Sequence, residues 1–336
     1  MPQRSKPAKS FSRRVATSIV WNATRLLSLL PLRVGYAVSD LATVLLHSVI
    51  RYRRKVVGRN LRESFPRRKD RELRRIERRF YRWLCDYGVE TLKLASISDS
   101  EMRRRMRFEN IEAVNDYLLH GRHVSLYLGH YGNWEWVSSM PLSLYREGVK
   151  AAQIYHPLEN SIADEIFLRL RSRFKANSVA MADTLRTLAG WRRDGLATVT
   201  GYISDQVPGY PSAHYWTEFL RHDTPVFSGA ERLSRAMHAA VFYVDMRRDK
   251  RGYYTATFVE MSPDASAEPE FLLTERYFRM LELTIERAPE FWLWSHRRWK
   301  RTREGFRREY PGKAIAERKT LFPQSIPSSD NRGRHR

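Results

Sequence analysis

Apolar residues fall in two rhythms along this chain, and the change comes near residue 101. Between 15 and 50 they gather into one stretch, with Ile19, Val20, Trp21, Leu26, Leu27, Leu29 and Leu30 before Pro31 and Val34, Tyr36, Leu41, Val44, Leu45, Leu46 and Ile50 after it. A proline lacks the N–H that a continuing helix needs, so the stretch predicts two short helices broken at Pro31. A spanning helix needs about 20 mainly apolar residues, and Arg25, Arg33 and Asp40 interrupt this run. No small-residue cleavage site follows a clean apolar core, as it would in a signal peptide. Two readings fit: anchor helices lying in or dipping into a bilayer, or a helical hairpin inside a protein core.

Beyond Glu101 short apolar runs alternate with stretches of helical period. Strands are predicted at 124–128, 150–155, 197–203, 239–246 and 253–259, and helices at 162–175 and 229–238. Alternation of this kind predicts an α/β fold, a mixed central sheet covered by helices, preceded by the N-terminal hydrophobic helical membrane anchor. The chain then divides into a basic tail at 1–14, the anchor at 15–50, one large domain at 51–317 and a Pro- and Ser-containing tail at 318–336 that reads as disordered.

Charge narrows the partners. The 336 residues carry 60 Lys and Arg against 37 Asp and Glu, a formal net charge of +23, which favours a polyanion or an anionic surface. The bias is strongest at 51–82, where Arg51, Arg53, Arg54, Lys55 and a run of later arginines face only Glu63, Asp70, Glu72 and Glu77. Most such runs are solvated helix faces, but next to an apolar anchor this one suits anionic lipid headgroups. A nucleic-acid-binding protein is the non-enzyme alternative. No recognition module of a known pattern supports it, and it leaves the apolar N-terminus unexplained. The single cysteine, Cys85, excludes an internal disulfide and a cysteine-based zinc cluster and reads as part of an apolar helix face.

The chemistry-bearing pattern is Gly129-His130-Tyr131-Gly132-Asn133-Trp134-Glu135-Trp136. It places His130 at the carboxyl end of the 124–128 strand, with Asn133 set to cap a helix from Trp134 towards Arg146. In a continuous helix side chains five apart diverge by about 140°, so His130 and Glu135 converge only if the chain turns, which Gly132 permits. A histidine oriented by a carboxylate is a general base for an alcohol. A helix N-terminus whose His and Glu are merely hydrogen-bonded or solvated fits the motif equally well.

With these residues placed, the chain resembles the lipid A late acyltransferases, the lauroyl/myristoyl-transferring branch of the lysophospholipid acyltransferase superfamily. The resemblance runs from Leu30 to about Tyr310. It covers Leu30-Pro31, then Asn60-Leu61-Arg62-Glu63-Ser64-Phe65-Pro66, the His-x4-Glu block, Tyr155-His156-Pro157 with Arg169-Leu170-Arg171-Ser172, Ser204-Asp205-Gln206, and Ala288-Pro289-Glu290 through Trp294-Ser295-His296-Arg297-Arg298-Trp299-Lys300. Two positions depart from it: His156 stands where many relatives carry Arg, and Phe174-Lys175-Ala176 lacks the Gly that often follows the Arg pair.

The resemblance implies an acyltransferase domain at 51–317 that moves a fatty acyl group from a thioester carrier to a hydroxyl of an acylated glucosamine disaccharide. His130 would be the base and Glu135 its orienting partner. It implies substrate contacts for Arg169, Arg171, Asp205, Gln206, Asn133 and His156. Salt bridges from the two arginines to Asp164 or Glu165, and turn capping by Asp205, remain the alternatives at those positions. Neither a metal nor a cofactor is expected, the donor being acyl carrier protein or coenzyme A. Implied partners are an anionic membrane surface, acyl carrier protein and a phosphorylated glycolipid, and no nucleic acid, at the cytoplasmic face of a bacterial inner membrane. Another glycolipid or a lysophospholipid is the alternative acceptor.

Overall fold

Pro31 sets the geometry of the N-terminal segment. In the computed structural model, which describes residues 11–317, helix α1 (Phe11–Leu29) ends just before it and α2 (Leu32–Val44) begins just after it, with a bend of 109° between Phe11–Leu29 and Leu32–Val49. The break is where the proline predicts it. Helix α1 already starts at Phe11, inside the segment read as a basic tail, and the tail placed at 318–336 lies outside the described residues. Neither helix is long and apolar enough to cross a membrane alone. Ile19, Leu26, Leu41 and Val49 are exposed, so the pair does not form a core hairpin.

After a π turn at Leu45–Val49 come α3 (Arg54–Ser64), α4 (Asp70–Lys93) and α5 (Asp99–Arg105). Helix α4 is amphipathic at a spacing of three and four. Leu73, Ile76, Phe80 and Trp83 are buried while Arg71, Arg74, Arg75, Arg78 and Arg79 stay outside, so the basic block is an exposed face of these helices.

The α/β body follows as β1 (Met106–Glu109), α6 (Ile111–Leu119), β2 (Val124–Leu128), β3 (Lys150–Tyr155), α7 (Ser161–Arg171), β4 (Asn177–Ala180), α8 (Thr184–Arg193) and β5 (Thr198–Ile203). Then come β6 (Tyr215–Phe219), β7 (His222–Val226), α9 (Gly229–Ala236), β8 (Ala240–Lys250), β9 (Tyr253–Ser262), α10 (Leu272–Arg287), α11 (Arg303–Glu309) and β10 (Ala316–Glu317). Seven strands form one sheet in the order β1-β9-β8-β2-β5-β3-β4. From β8 to β4 neighbours run parallel, and the β8–β9 hairpin reverses direction and brings in β1. All five residues of β2 are buried, as a strand covered on both faces requires. A smaller sheet, β10-β6-β7, lies apart from it.

The five strands and two helices expected from the pattern are present, the mixed sheet among helices included. The four-residue edge strands β1 and β4 are too short to rise above loops, and the small sheet is not predicted either: β7 carries Pro225 and β10 has two residues, while β6 goes unpredicted although it is as long and apolar as a predicted strand. A common apolar core joins Phe80 and Trp83 of α4, Leu126 of β2, Phe242 of β8 and Phe278 of α10, so α4 is locked to the sheet that carries the site.

Candidate active site

Strands β2 and β5 are parallel neighbours with Leu128 paired to Ile203. The chain leaves both at the same level, and two residues later each offers one functional group: His130 after β2, Asp205 after β5. The carboxyl ends of adjacent parallel strands are where α/β sheets gather such groups.

The imidazole Nδ1 lies 2.5 Å from Asp205 Oδ1, while Asp205 Oδ2 accepts from the His130 backbone N–H at 2.9 Å and from the Trp292 indole at 2.8 Å. Asp205 is 2% exposed. Burial alone would raise its carboxyl, but the adjacent His130 and the donated hydrogen bonds outweigh burial and bring it down to about 2. An ionised carboxylate only accepts, so Nδ1 carries a proton, and an amide nitrogen only donates, so Nε2 is the acceptor facing Gln206. The Gln206 amide donates to Nε2 at 3.1 Å. Trp134 meets the imidazole edge-to-face with ring centres 5.1 Å apart, and stacks on Tyr87 at 4.2 Å.

The chain turns at Gly132, where φ is +61° and a Cβ would come within 2.5 Å of Met246 Sδ, so no other residue fits without strain. Trp134–Ser143 then forms a 3₁₀ helix in place of the expected α-helix, with Pro141 inside it. Asn133 caps it by accepting from the Trp136 N–H at 3.2 Å. The capped first turn holds Glu135, which is buried and clasped by Arg171 in two parallel bonds, Nε to Oε2 at 2.7 Å and Nη2 to Oε1 at 2.6 Å. Tyr87 also donates to Oε1, at 3.4 Å. The expected His130–Glu135 partnership is therefore corrected. The carboxylate on His130 is Asp205, and Glu135 is committed to Arg171, the last residue of α7.

His130 and the Glu135–Arg171 pair face one cavity of about 450 Å³, with Asp205 behind the imidazole and outside the lining. His130, Glu135, Arg171 and Gln206 contribute polar groups, and Leu128, Val137, Met140, Ala152, Ile154 and Phe227 are among its apolar lining. It combines an apolar wall with a few convergent polar groups, the usual make-up of a ligand site.

Residues 3–301 match the family model described as bacterial lipid A biosynthesis acyltransferase. The chain belongs to that family. It is an acyltransferase, and it is 24% identical over 254 residues to the lipid A biosynthesis palmitoleoyltransferase of Escherichia coli (strain K12), covering 75% of this chain and 80% of that protein. The same identity and coverage relate it to a lipid A biosynthesis acyltransferase of Shigella flexneri.

The remaining residues expected at the site of this acyltransferase divide sharply. Gln206 and Arg171 line the cavity, and His156 lies at its edge, its Nδ1 3.0 Å from the Pro157 carbonyl. Arg169 is turned away, paired with Glu165 at 2.8 Å one helical turn back and lying over the Trp21 ring. Asn133 is fully buried, gives its amide to Glu90 at 2.8 Å and does not line the cavity, so its place in the structure is as a support of the loop. Cys85 stays within α4. Trp292, Trp134 and Tyr87 were missed as supports of the site. Trp292 is 87 positions from Asp205, and no local pattern could have joined them.

Proposed function

We propose that the protein transfers a fatty acyl chain from an acyl thioester, carried by acyl carrier protein, to a hydroxyl of a lipid A precursor at the cytoplasmic face of the bacterial inner membrane. One observation carries the chemistry: His130 Nδ1 is held by the Asp205 carboxylate, which leaves Nε2, met by the Gln206 amide, as the accepting nitrogen at a largely apolar cavity. The acceptor hydroxyl replaces the Gln206 amide on Nε2, and His130 takes its proton as the oxygen adds to the thioester carbonyl. Asp205 stabilises the resulting imidazolium. The carbon–sulfur bond then breaks, and His130 returns the proton to the departing sulfur, leaving an ester and a free thiol.

Glu135 acts through Arg171. Two of the three guanidinium nitrogens are engaged with its carboxylate, which fixes the third, Nη1, as a donor for the negative charge that develops on the carbonyl oxygen. The cavity wall takes the hydrocarbon chain.

The surroundings fit the same reading. The bent pair α1 and α2 exposes apolar residues to solvent, next to the arginine-rich faces of α3 and α4. An amphipathic helix pair of this composition lies in a bilayer interface and is drawn to anionic headgroups. The net charge of +23 also favours a phosphorylated sugar acceptor and an acidic carrier protein.

The test is to incubate the detergent-solubilised protein with labelled acyl carrier protein thioester and a tetra-acylated lipid A precursor, and to follow the lipid by mass spectrometry. A gain of one acyl chain is expected, abolished in His130→Ala. Transfer to a lysophospholipid alone, or only from coenzyme A, would replace the acceptor or the donor named here.

A further inference from the structure

Helix α4 carries two buried carboxylates one turn apart, Asp86 at 1% and Glu90 at 0% exposure, and neither belongs to the cavity wall. Burying a carboxylate is costly unless it is fully hydrogen-bonded, and packing α2 on α4 needs no charge. Asp86 is held by Ser39 of α2 at 2.7 Å and by Arg248 and Arg251, and Arg251 also clasps Asp40. Glu90 reaches in two directions at once. Its Oε1 accepts from the Tyr36 hydroxyl of α2 at 3.0 Å, and its Oε2 accepts from Asn133 Nδ2 and the Tyr254 hydroxyl, each at 2.8 Å. Its backbone carbonyl accepts from the Trp136 indole at 3.0 Å.

Asn133 and Trp136 belong to the turn that presents Glu135, and Tyr36 belongs to the apolar helix pair. Gly35 lets α2 settle so closely that a Cβ there would stand 2.6 Å from Val89 Cγ1, which fixes where the Tyr36 hydroxyl can go. We infer that Glu90 is a positioning residue that couples the seat of α2 to the geometry of the 133–138 turn, making the N-terminal helix pair a working part of the acyltransfer site as well as a tether. A displacement of α2 pulls on one oxygen of a carboxylate whose other oxygen holds the cap of the Glu135 turn. Errors of about 1 Å in such a turn cost up to roughly 100-fold in rate.

The inference rests on the acyltransfer reading of the site, so its test has one readout with turnover and one without. Full-length wild type, Tyr36→Phe, Glu90→Gln and the double variant are compared in detergent micelles by amide hydrogen exchange over 133–138 and by steady-state kinetics. Tyr36→Phe keeps the ring that sits under Arg251 and removes only the hydroxyl, so it decides the matter even where Glu90→Gln folds poorly. It is expected to speed exchange at 133–138 and to lower kcat about 10-fold with KM for the thioester within about 2-fold. The double variant should be no worse than Glu90→Gln, since both act through one link. Faster exchange confined to α2 and α4, or losses that simply multiply, would overturn the coupling. A wild type without turnover on the lipid A precursor would count against the substrate reading, and the exchange result would still decide the inference.

Discussion

His130 and Asp205 stand two residues beyond the ends of neighbouring parallel strands whose last residues, Leu128 and Ile203, are in register, and their side chains meet at 2.5 Å. The sheet therefore sets this pair, and sequence spacing within the His-x4-Glu block does not. Asp205→Asn should lower kcat by about 10²–10⁴ while leaving KM for the thioester nearly unchanged. An asparagine cannot accept from Nδ1, the His130 backbone N–H and the Trp292 indole together, because its amide nitrogen is a donor. Steady-state kinetics of the purified variant check this. A kcat within a few-fold of wild type would return the orienting role to Glu135.

Glu135 and Arg171 form a pair whose side chains are 3% and 20% exposed, so removing one member leaves the other buried without its counter-charge. Glu135→Gln should cost about 2–3 kcal/mol of stability in chemical denaturation, below the range for fully buried pairs because Arg171 keeps some solvent. Glu135→Gln combined with Arg171→Met should recover most of that loss but not kcat, since the guanidinium is then gone from the cavity. Recovery of both would reduce the pair to a structural role.

The site was legible in the sequence one element at a time and not as an assembly. The 124–128 and 197–203 runs were readable as strands, and His130 and Asp205 each follow such a run by two residues, an offset that could have paired them. What could not be read was strand order: that β2 and β5 are neighbours depends on the whole sheet, in which β3 and β4 lie beyond β5. The His-x4-Glu spacing pulled the pairing towards Glu135, because sequence nearness carries no information about a partner 75 positions away. The break at Pro31 and the turn at Gly132 were legible because proline and glycine act on the backbone itself.

His296 lies in the segment that supports Asp205 and should leave a pH signature in stability. Burial pushes its imidazole down from 6.5 to about 4, with Arg298, His130 and Lys300 acting in the same direction and Asp205 against it. A depressed imidazole binds its proton more readily in the unfolded chain. Its contribution to stability is thus complete above 6.5 and declines as pH falls towards about 4. Tm measured across that window should fall less steeply in His296→Gln than in wild type. Parallel curves for the two proteins would remove the assignment.

Acyl-chain length should be set by how far the apolar wall runs past His130, and Gly201 on β5 is a place to shorten it. A Cβ at Gly201 would stand 3.7 Å from the Ala152 carbonyl oxygen and 3.8 Å from Leu128 Cδ2, ordinary contacts on two residues that line the cavity. Gly201→Ala is therefore expected to fold and to serve as a control, whereas Gly201→Leu fills space that the end of a chain would occupy. Each methylene of mismatch in an apolar pocket is worth about 10-fold or more in kcat/KM. Competition between acyl carrier protein thioesters of different length should consequently move the preference of Gly201→Leu to a shorter donor, with turnover of that donor retained. An unchanged length profile together with unchanged activity would place the chain outside this cavity. Equal loss for every donor would instead mean that the leucine disturbs the strand that delivers Asp205, which the denaturation midpoint would reveal.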